Sequence, residues 1–202
     1  MAVALLMAGG AVAQDIQLPA PNKKVEMTLM DALQQRTSVR EYSDKAVDDA
    51  TLSQVLWAAC GINRPSTKKI TAPSAINAQD ILVYVLKADG AYLYQPLSHS
   101  LTKVCSEDLR TPMAGPQRFA AEAPVALLLV SDLSKFGPNN RGGERYGAMD
   151  AGYVSENIYL ACTALGLGTV ARAMMDAKTL SEKLGLKEHQ QPMLNHPIGW
   201  LK

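Results

Sequence analysis

The chain has 202 residues, 48% of them hydrophobic, with 20 Lys+Arg against 19 Asp+Glu for a net charge of +1. That composition supports one domain of ordinary size with a sizeable core, and it excludes wholesale disorder. A charge balance this close to zero gives no general pull toward nucleic acid or a membrane surface, so any anion site must be local.

Ala2 to Ala13 reads AVALLMAGGAVA and closes on Ala11-Val12-Ala13 before Gln14, an A-x-A cleavage pattern. The run is too short to span a bilayer as a helix. No Lys or Arg lies near Met1. Two readings stand: residues 1–13 are a secretory signal peptide, which places the mature protein in the periplasm, or they are an N-terminal arm of a cytoplasmic protein. Residues 14–27 are polar, carry Pro19 and Pro21, and read as an extended leader. The folded domain runs from 28 to 202.

Thr28 offers a helix N-cap, and a helix is predicted from there to about Arg36. A loop follows. A second helix is predicted from near Thr51, where Leu52, Val55, Leu56 and Ala59 make one apolar stripe, and Gly61 ends it. Residues 63–79 read as a long loop holding Pro65 and Pro73, the kind of ordered loop that often carries function. Ile81 to Leu86 is a predicted strand, Asp89-Gly90 a turn, and Ala91 to Gln95 its antiparallel return, with a further strand over Leu101 to Val104. Val125 to Val130 is a continuous apolar run suited to a strand buried on both faces. Residues 137–143 are polar and Gly-rich. The longest helix is predicted over Tyr146 to Leu165, a strand starting at Thr169-Val170, a short helix over Leu180 to Leu184, and an extended tail. This mixture predicts an α+β fold.

Cys60, Cys105 and Cys162 form no C-x-x-C, and the three His residues form no H-x-x-x-H pair, so no metal site is expected. There is no P-loop, no G-x-G-x-x-G after a strand and no G-x-S-x-G. Three blocks remain. In Arg36-Thr37-Ser38-Val39-Arg40, two guanidiniums flank a hydroxyl pair, which suits a monophosphate, although surface Arg pairs at a helix end are common. In Pro73-Ser74-Ala75-Ile76-Asn77-Ala78-Gln79, amides that can donate and accept stand in a loop before a strand. The third is Asp150-Ala151-Gly152, Glu156 to Ala161 and Gly166 to Val170. Alone, the second reads as a polar turn and the third as a buried small-residue helix with a Gly stop.

Together and in this order the blocks resemble the nitroreductase family. Arg36, Ser38 and Arg40 match its R-x-S-x-R turn, and Pro73, Ser74, Asn77 and Gln79 its P-S-x-x-N-x-Q loop. Asp150, Gly152, Asn157, Leu160, Ala161 and Leu165 to Thr169 match its D-x-G…N-x-x-L-A-A…L-G-L-G-T helix. Leu56 to Ala59, Gly61 to Pro65 and the ending Gly199-Trp200-Leu201-Lys202 look closest to a short exported branch related to the azoline dehydrogenases.

The resemblance implies an α+β fold with a central, mostly antiparallel sheet flanked by helices, in an interlocked homodimer holding FMN at two interface sites. It places Arg36, Thr37, Ser38 and Arg40 at the phosphate and ribityl chain, Pro73, Ser74, Ala75 and Asn77 at the isoalloxazine edge, and Arg172, Ala173 and Met174 beside the flavin. Many relatives carry a Lys three residues after the loop Asn; here Asp80 stands there, and Arg172 is the expected substitute for its charge. Relatives often extend into a C-terminal arm with basic phosphate ligands, of which Lys202 is the remnant, or else Arg36 and Arg40 hold the phosphate alone. The implied activity is FMN-dependent hydride transfer from NAD(P)H to a nitroaromatic, quinone or similar acceptor. Export would separate the enzyme from the cytoplasmic nicotinamide pool. An azoline-type dehydrogenase and a non-catalytic flavin-binding protein are the alternatives.

Overall fold

The structure, a computed structural model, describes residues 15–138 and 142–202; the candidate signal segment 1–13 and part of the Gly-rich 137–143 loop lie outside them. In chain order the elements are β1 (Ile16–Gln17), α1 (Leu29–Gln35), α2 (Asp49–Cys60), β2 (Ile62–Arg64), β3 (Lys69–Ile70), β4 (Ile81–Lys87), β5 (Gly90–Gln95), β6 (Ser100–Cys105), α3 (Arg110–Ala114), α4 (Phe119–Glu122), β7 (Val125–Asp132), α5 (Gly143–Ala164), β8 (Leu167–Thr169), α6 (Ala177–Leu184) and β9 (Gln190–Trp200). A 7-stranded sheet runs β1-β6-β5-β4-β7-β9-β8, and β2-β3 form a separate ribbon. Every ladder in the large sheet is antiparallel.

Alternation along the central strands divides the core. Val83 and Val85 of β4 and Val125, Leu127 and Leu129 of β7 face one way, against Leu52, Val55 and Leu56 of α2 and Val154, Ile158 and Cys162 of α5. Tyr84, Leu86, Ala126, Leu128 and Val130 face the other, against Met113, Ala120, Leu180 and Leu184 from α3, α4 and α6. Each strand is thus apolar on both faces because helices cover both, which is why Val125 to Val130 shows no polar alternation.

The helix starts follow from side-chain caps. Thr28 Oγ1 accepts the Asp31 N–H at 3.1 Å, and the Asp31 carboxylate returns to the Thr28 N–H in a capping box. α2 begins two residues before the expected Thr51, because Asp48 is the cap and accepts the Thr51 N–H at 2.7 Å.

Five sequence expectations change. The strand expected to begin at Thr169 instead ends there, as β8. The tail is not merely extended: β9 is an 11-residue strand inside the sheet, between β7 and β8. Pro192 sits where the β7–β9 register shifts, an irregularity that accommodates a residue without an N–H. Residues 105–124, given no helix from sequence, hold α3 and α4. The 63–79 loop contains the β2–β3 ribbon. The leader is docked: Ile16 and Gln17 pair with β6, and Leu18 is buried in the core. Cys60 and Cys162 are buried free thiols, as expected; burial alone pushes Cys60 up to about 12, so neither is poised as a nucleophile.

Candidate functional site

The Arg36–Arg40 turn leaves α1 and lies against the sheet edge. The Val39 N–H donates to Thr169 O of β8 at 2.9 Å, and the Tyr42 hydroxyl donates to Val39 O at 2.9 Å. Gly168 permits this seat, because a Cβ there would stand 2.6 Å from Val39 Cγ1. Ser38 Oγ lies 2.9 Å from the Tyr159 hydroxyl, which also accepts the Ala171 N–H at 2.8 Å. The Arg36 guanidinium stands 5.2 Å from the Tyr159 ring centre. Behind it, His196 meets the same ring edge-on at 5.4 Å. His196 is fully buried between Ser155 Oγ (2.8 Å) and Thr169 Oγ1 (3.1 Å), and burial pushes its pKa down to about 3, so the imidazole is neutral. Among the described residues neither Arg36 nor Arg40 forms a salt bridge.

Arg40 lines a cleft of about 260 Å³ with Gln117, Phe119 and residues 170–174. Among the described residues no carboxylate lines it. The 171–174 segment is held by an isolated bridge in which Arg172 and Asn195 exchange backbone hydrogen bonds of 2.9 and 2.7 Å. Among the described residues, the N–H groups of Ala173 and Met174 donate to no protein acceptor, and both residues are exposed at the cleft.

Arg172 differs from its expected form. It is 6% exposed, and its guanidinium is engaged throughout. Nε donates to Gln117 Oε1 (2.7 Å), Nη1 to Asn195 Oδ1 (2.7 Å) and Met113 O (3.4 Å), and Nη2 to Ala114 O (2.6 Å) and Met174 O (3.1 Å). Its N–H groups are therefore spent on the protein. Its positive charge reaches the cleft through space, and its hydrogen bonds tie α3 and Gln117 to the 171–174 segment.

The Pro73–Gln79 loop runs through three left-handed residues, Ile76 (φ 49), Asn77 (φ 58) and Gln79 (φ 48). Non-glycine residues rarely adopt this form unless their surroundings impose it. Ser74 Oγ accepts the Gln79 N–H at 2.9 Å, and the Asp150 carboxylate of α5 accepts the Ala75 N–H at 2.9 and 3.1 Å. Ile76, 81% exposed, and the exposed Asn77 project outward. Pro73, Ser74 and Ala75 border a cavity of about 370 Å³ with Tyr146, Met149 and Tyr153. Asp80, expected at the flavin edge, is instead fully buried beneath this loop, where it accepts the Ser131 hydroxyl. β4 begins one residue later, which turns the Asp80 side chain into the interior.

The structure brings Arg40 together with Arg172, Ala173 and Met174 in one cleft, with Arg36 and Ser38 beside it through Tyr159. It does not bring the 73–77 loop to them. That loop is anchored at Asp150 and the Arg turn at Tyr159, about 14 Å apart along α5 at 1.5 Å per residue. Thr37 and Lys202 are exposed and do not line the cleft. Of the third block, Asn157, Leu160, Ala161 and Leu165 border a separate cavity of about 400 Å³ between α5, α2 and the leader. Sequence reasoning missed Tyr159, Gln117 and Phe119. Tyr159 stood inside the matched block without distinction, and the other two fall in the stretch given no structure.

A helix-covered antiparallel sheet, with a basic turn and a backbone-lined cleft at one end, defines an α+β protein built around a small-molecule crevice. Comparison narrows this. A model of the nitroreductase family matches residues 33–200. A protein of Methanocaldococcus jannaschii, named as a candidate nitroreductase, is 34% identical over 198 residues, 92% of this chain and 96% of its own. The crystal structure of a candidate nitroreductase from Ralstonia eutropha has a TM-score of 0.86 at 36% identity, covering 96% of this chain and 92% of that one. A chain of the E. coli microcin synthetase complex has a TM-score of 0.72 at 16% identity, over 100% of this chain and 79% of that one, a likeness of fold alone. The chain belongs to the nitroreductase family and is an oxidoreductase.

Proposed function

We propose that the chain is an FMN-dependent oxidoreductase working as a homodimer, with NAD(P)H as electron donor. One observation carries this reading: Arg40 and the N–H groups of Ala173 and Met174, unpaired among the described residues, line a single cleft that no described carboxylate enters, next to Arg36 and Ser38. That donor set fits FMN. Guanidiniums and a hydroxyl suit a phosphate monoester, and fixed backbone N–H groups suit the heteroatoms of a flavin ring. When bound, FMN supplies hydride-transfer chemistry between reduced nicotinamide and an acceptor such as a nitroaromatic or quinone.

The protein's own part is to bind, orient and exclude water. Arg36 and Arg40 supply charge to the phosphate, Ser38 a neutral donor, and Ala173 and Met174 two backbone N–H donors. The buried Arg172 cation adds positive potential at the same cleft, favouring a ligand that gains negative charge on reduction.

Dimerisation supplies what one chain lacks. Leu29, Met30 and Leu33 of α1 and Tyr146, Met149 and Tyr153 of α5 are exposed apolar residues on two helices that pack together. Tyr146, Met149 and Tyr153 follow i, i+3, i+7 spacing and form one face. A second copy seated on that surface would bury it and bring its own Pro73-Ser74-Ala75-Ile76-Asn77 loop to this chain's Arg turn. The crevice is then completed by two chains.

The test begins with the purified protein. Flavin absorbance, FMN uptake by the stripped protein, and bleaching on anaerobic mixing with NADH or NADPH are expected, in a dimer by light scattering. A monomer that takes up no FMN would overturn the reading. A second reading, dehydrogenation of an azoline-type heterocycle, is prompted by the whole-chain fold likeness to the microcin synthetase chain. Mass analysis after incubation with an azoline substrate separates the two, since oxidation removes two hydrogens from the ring.

A further inference from the structure

Asp80 presents an unusual situation. Its side chain is fully buried, Oδ2 accepts the Ser131 hydroxyl, and Oδ1 has no hydrogen-bond donor. The carboxyl of Asp150, itself 1% exposed, is the neighbouring acid: it stands one turn of α5 beyond Gly147, which packs against the same Ser131 that Asp80 accepts from. Asp150 has both oxygens on the Ala75 N–H. Two neighbouring buried carboxylates resist ionising together without a compensating charge. Among the described residues none is supplied by the surroundings. β7 contributes the neutral Ser131, and the loop contributes an N–H. The carboxylate of Asp132, next along β7, is turned to Ser134 and His189. No Lys, Arg or His forms a salt bridge with either acid among the described residues. A hydrated divalent cation is a poor candidate, because three side chains with most lone pairs already used fall short of six oxygen ligands.

We infer that Asp80 and Asp150 share one proton across their contact, and that this proton latches the left-handed Ser74–Gln79 loop onto α5. A protonated Asp80 donates from Oδ1 to an Asp150 oxygen, which satisfies the orphaned atom while Asp150 keeps its hold on the Ala75 N–H. The close approach this needs is built in at Gly147, where a Cβ would stand 2.4 Å from Ser131 Oγ. Burial, opposed by the Ser131 hydrogen bond and aided by Asp150, pushes Asp80 up to about 7. The folded state thus keeps a proton that the unfolded chain releases near the ordinary Asp value of about 3.9. Stability from the latch is greatest below that lower value, declines as pH rises toward 7, and is fully lost above it. Asp80 and Asp150 are positioning residues: they shape the loop and touch no substrate.

That the loop walls a flavin crevice rests on the function proposed above; the latch itself does not. The test uses the whole protein and Asp80→Asn, in which the amide imitates the protonated acid, donating to Asp150 and accepting from Ser131. Infrared difference spectra of the wild type between pH 6 and pH 8.5 should show the carbonyl stretch of a buried carboxylic acid at the lower pH only, and Asp80→Asn should lack it. Amide exchange at Ala75 to Gln79, corrected for intrinsic rates, should lose protection in the wild type from pH 6 to pH 8.5 and stay level in Asp80→Asn. No acid band in the wild type, a band that persists in Asp80→Asn, or pH-independent loop protection overturns the latch. A third arm measures FMN retention, expected to fall several-fold more for the wild type than for Asp80→Asn at pH 8.5. If the first two arms hold and retention does not move, the latch stands and the flavin reading of the loop fails.

Discussion

The Tyr159 hydroxyl touches both halves of the cleft: it lies 2.9 Å from Ser38 Oγ and accepts the Ala171 N–H at 2.8 Å. Its single proton has no other acceptor than Ser38 among the described residues. Either hydroxyl can be the donor in this pair; with Tyr159 donating, the Ser38 hydrogen is free for a ligand. Tyr159→Phe removes that donor and leaves the Ala171 N–H unpaired. A loss of about 1–2 kcal/mol is expected in stability. FMN should dissociate roughly tenfold more readily, and Ser38→Ala should then add little in the Tyr159→Phe background. Equal, additive losses in a double-mutant cycle would show that the two hydroxyls act independently.

On the proposed function Arg36 and Arg40 would hold the phosphate, so their loss should matter for FMN and not for riboflavin. Each Ala variant should weaken FMN about ten- to a hundredfold, the range of about 1.5–3 kcal/mol for hydrogen bonds to a charged group. Riboflavin affinity should hold within about twofold, since a surface Arg contributes little else. Fluorescence titration of both ligands separates phosphate recognition from general damage to the turn.

Arg172 combines a charge and a hydrogen-bond fork, and two substitutions separate them. Arg172→Lys keeps the charge but cannot reach Gln117, Asn195, Ala114 and Met174 together. It should lower stability by about 2 kcal/mol or more, through orphaned buried acceptors, while largely preserving the flavin reduction potential. Arg172→Ala should lose both, with a lower potential. An unchanged potential in Arg172→Ala would remove the electrostatic role and leave Arg172 as a tie between α3 and the 171–174 segment.

The sequence was most legible where one local rule decided the outcome. Thr28 and Asp48 cap helices by side-chain chemistry that any reader can apply, although Asp48 was passed over for the later Thr51. The apolar run at Val125 showed a strand covered on both faces. β9 was hidden because its prolines and its buried Asn195 and His196 look like surface residues until their partners are known. Asn195 holds Arg172, and His196 sits between Ser155 and Thr169; both pairings join residues far apart in the chain. Asp80 misled for a related reason. The resemblance sets it where many relatives carry a Lys, three residues after Asn77, yet the side chain turns inward to Ser131.

His196 and Asp80 are expected to oppose each other in their effect on stability against pH. The folded pKa of His196 is depressed, from about 6.5 to about 3, so the unfolded chain takes up a proton that the native state refuses. Its contribution is complete above about 6.5 and is lost as pH falls toward 3, at up to about 1.4 kcal/mol per pH unit. Asp80 acts in the other direction between about 4 and 7, gaining as pH falls. The wild-type profile from pH 7 to pH 5 should therefore be nearly flat. Asp80→Asn removes one side of the balance and should lose stability steeply on acidification. His196→Gln, which keeps a donor and an acceptor for Ser155 and Thr169, should instead gain stability relative to its own value at pH 7. Urea unfolding at pH 7, 6 and 5 measures all three slopes. If the two variants slope alike, either His196 is protonated in the native state or Asp80 is ionised throughout, and that balance does not exist.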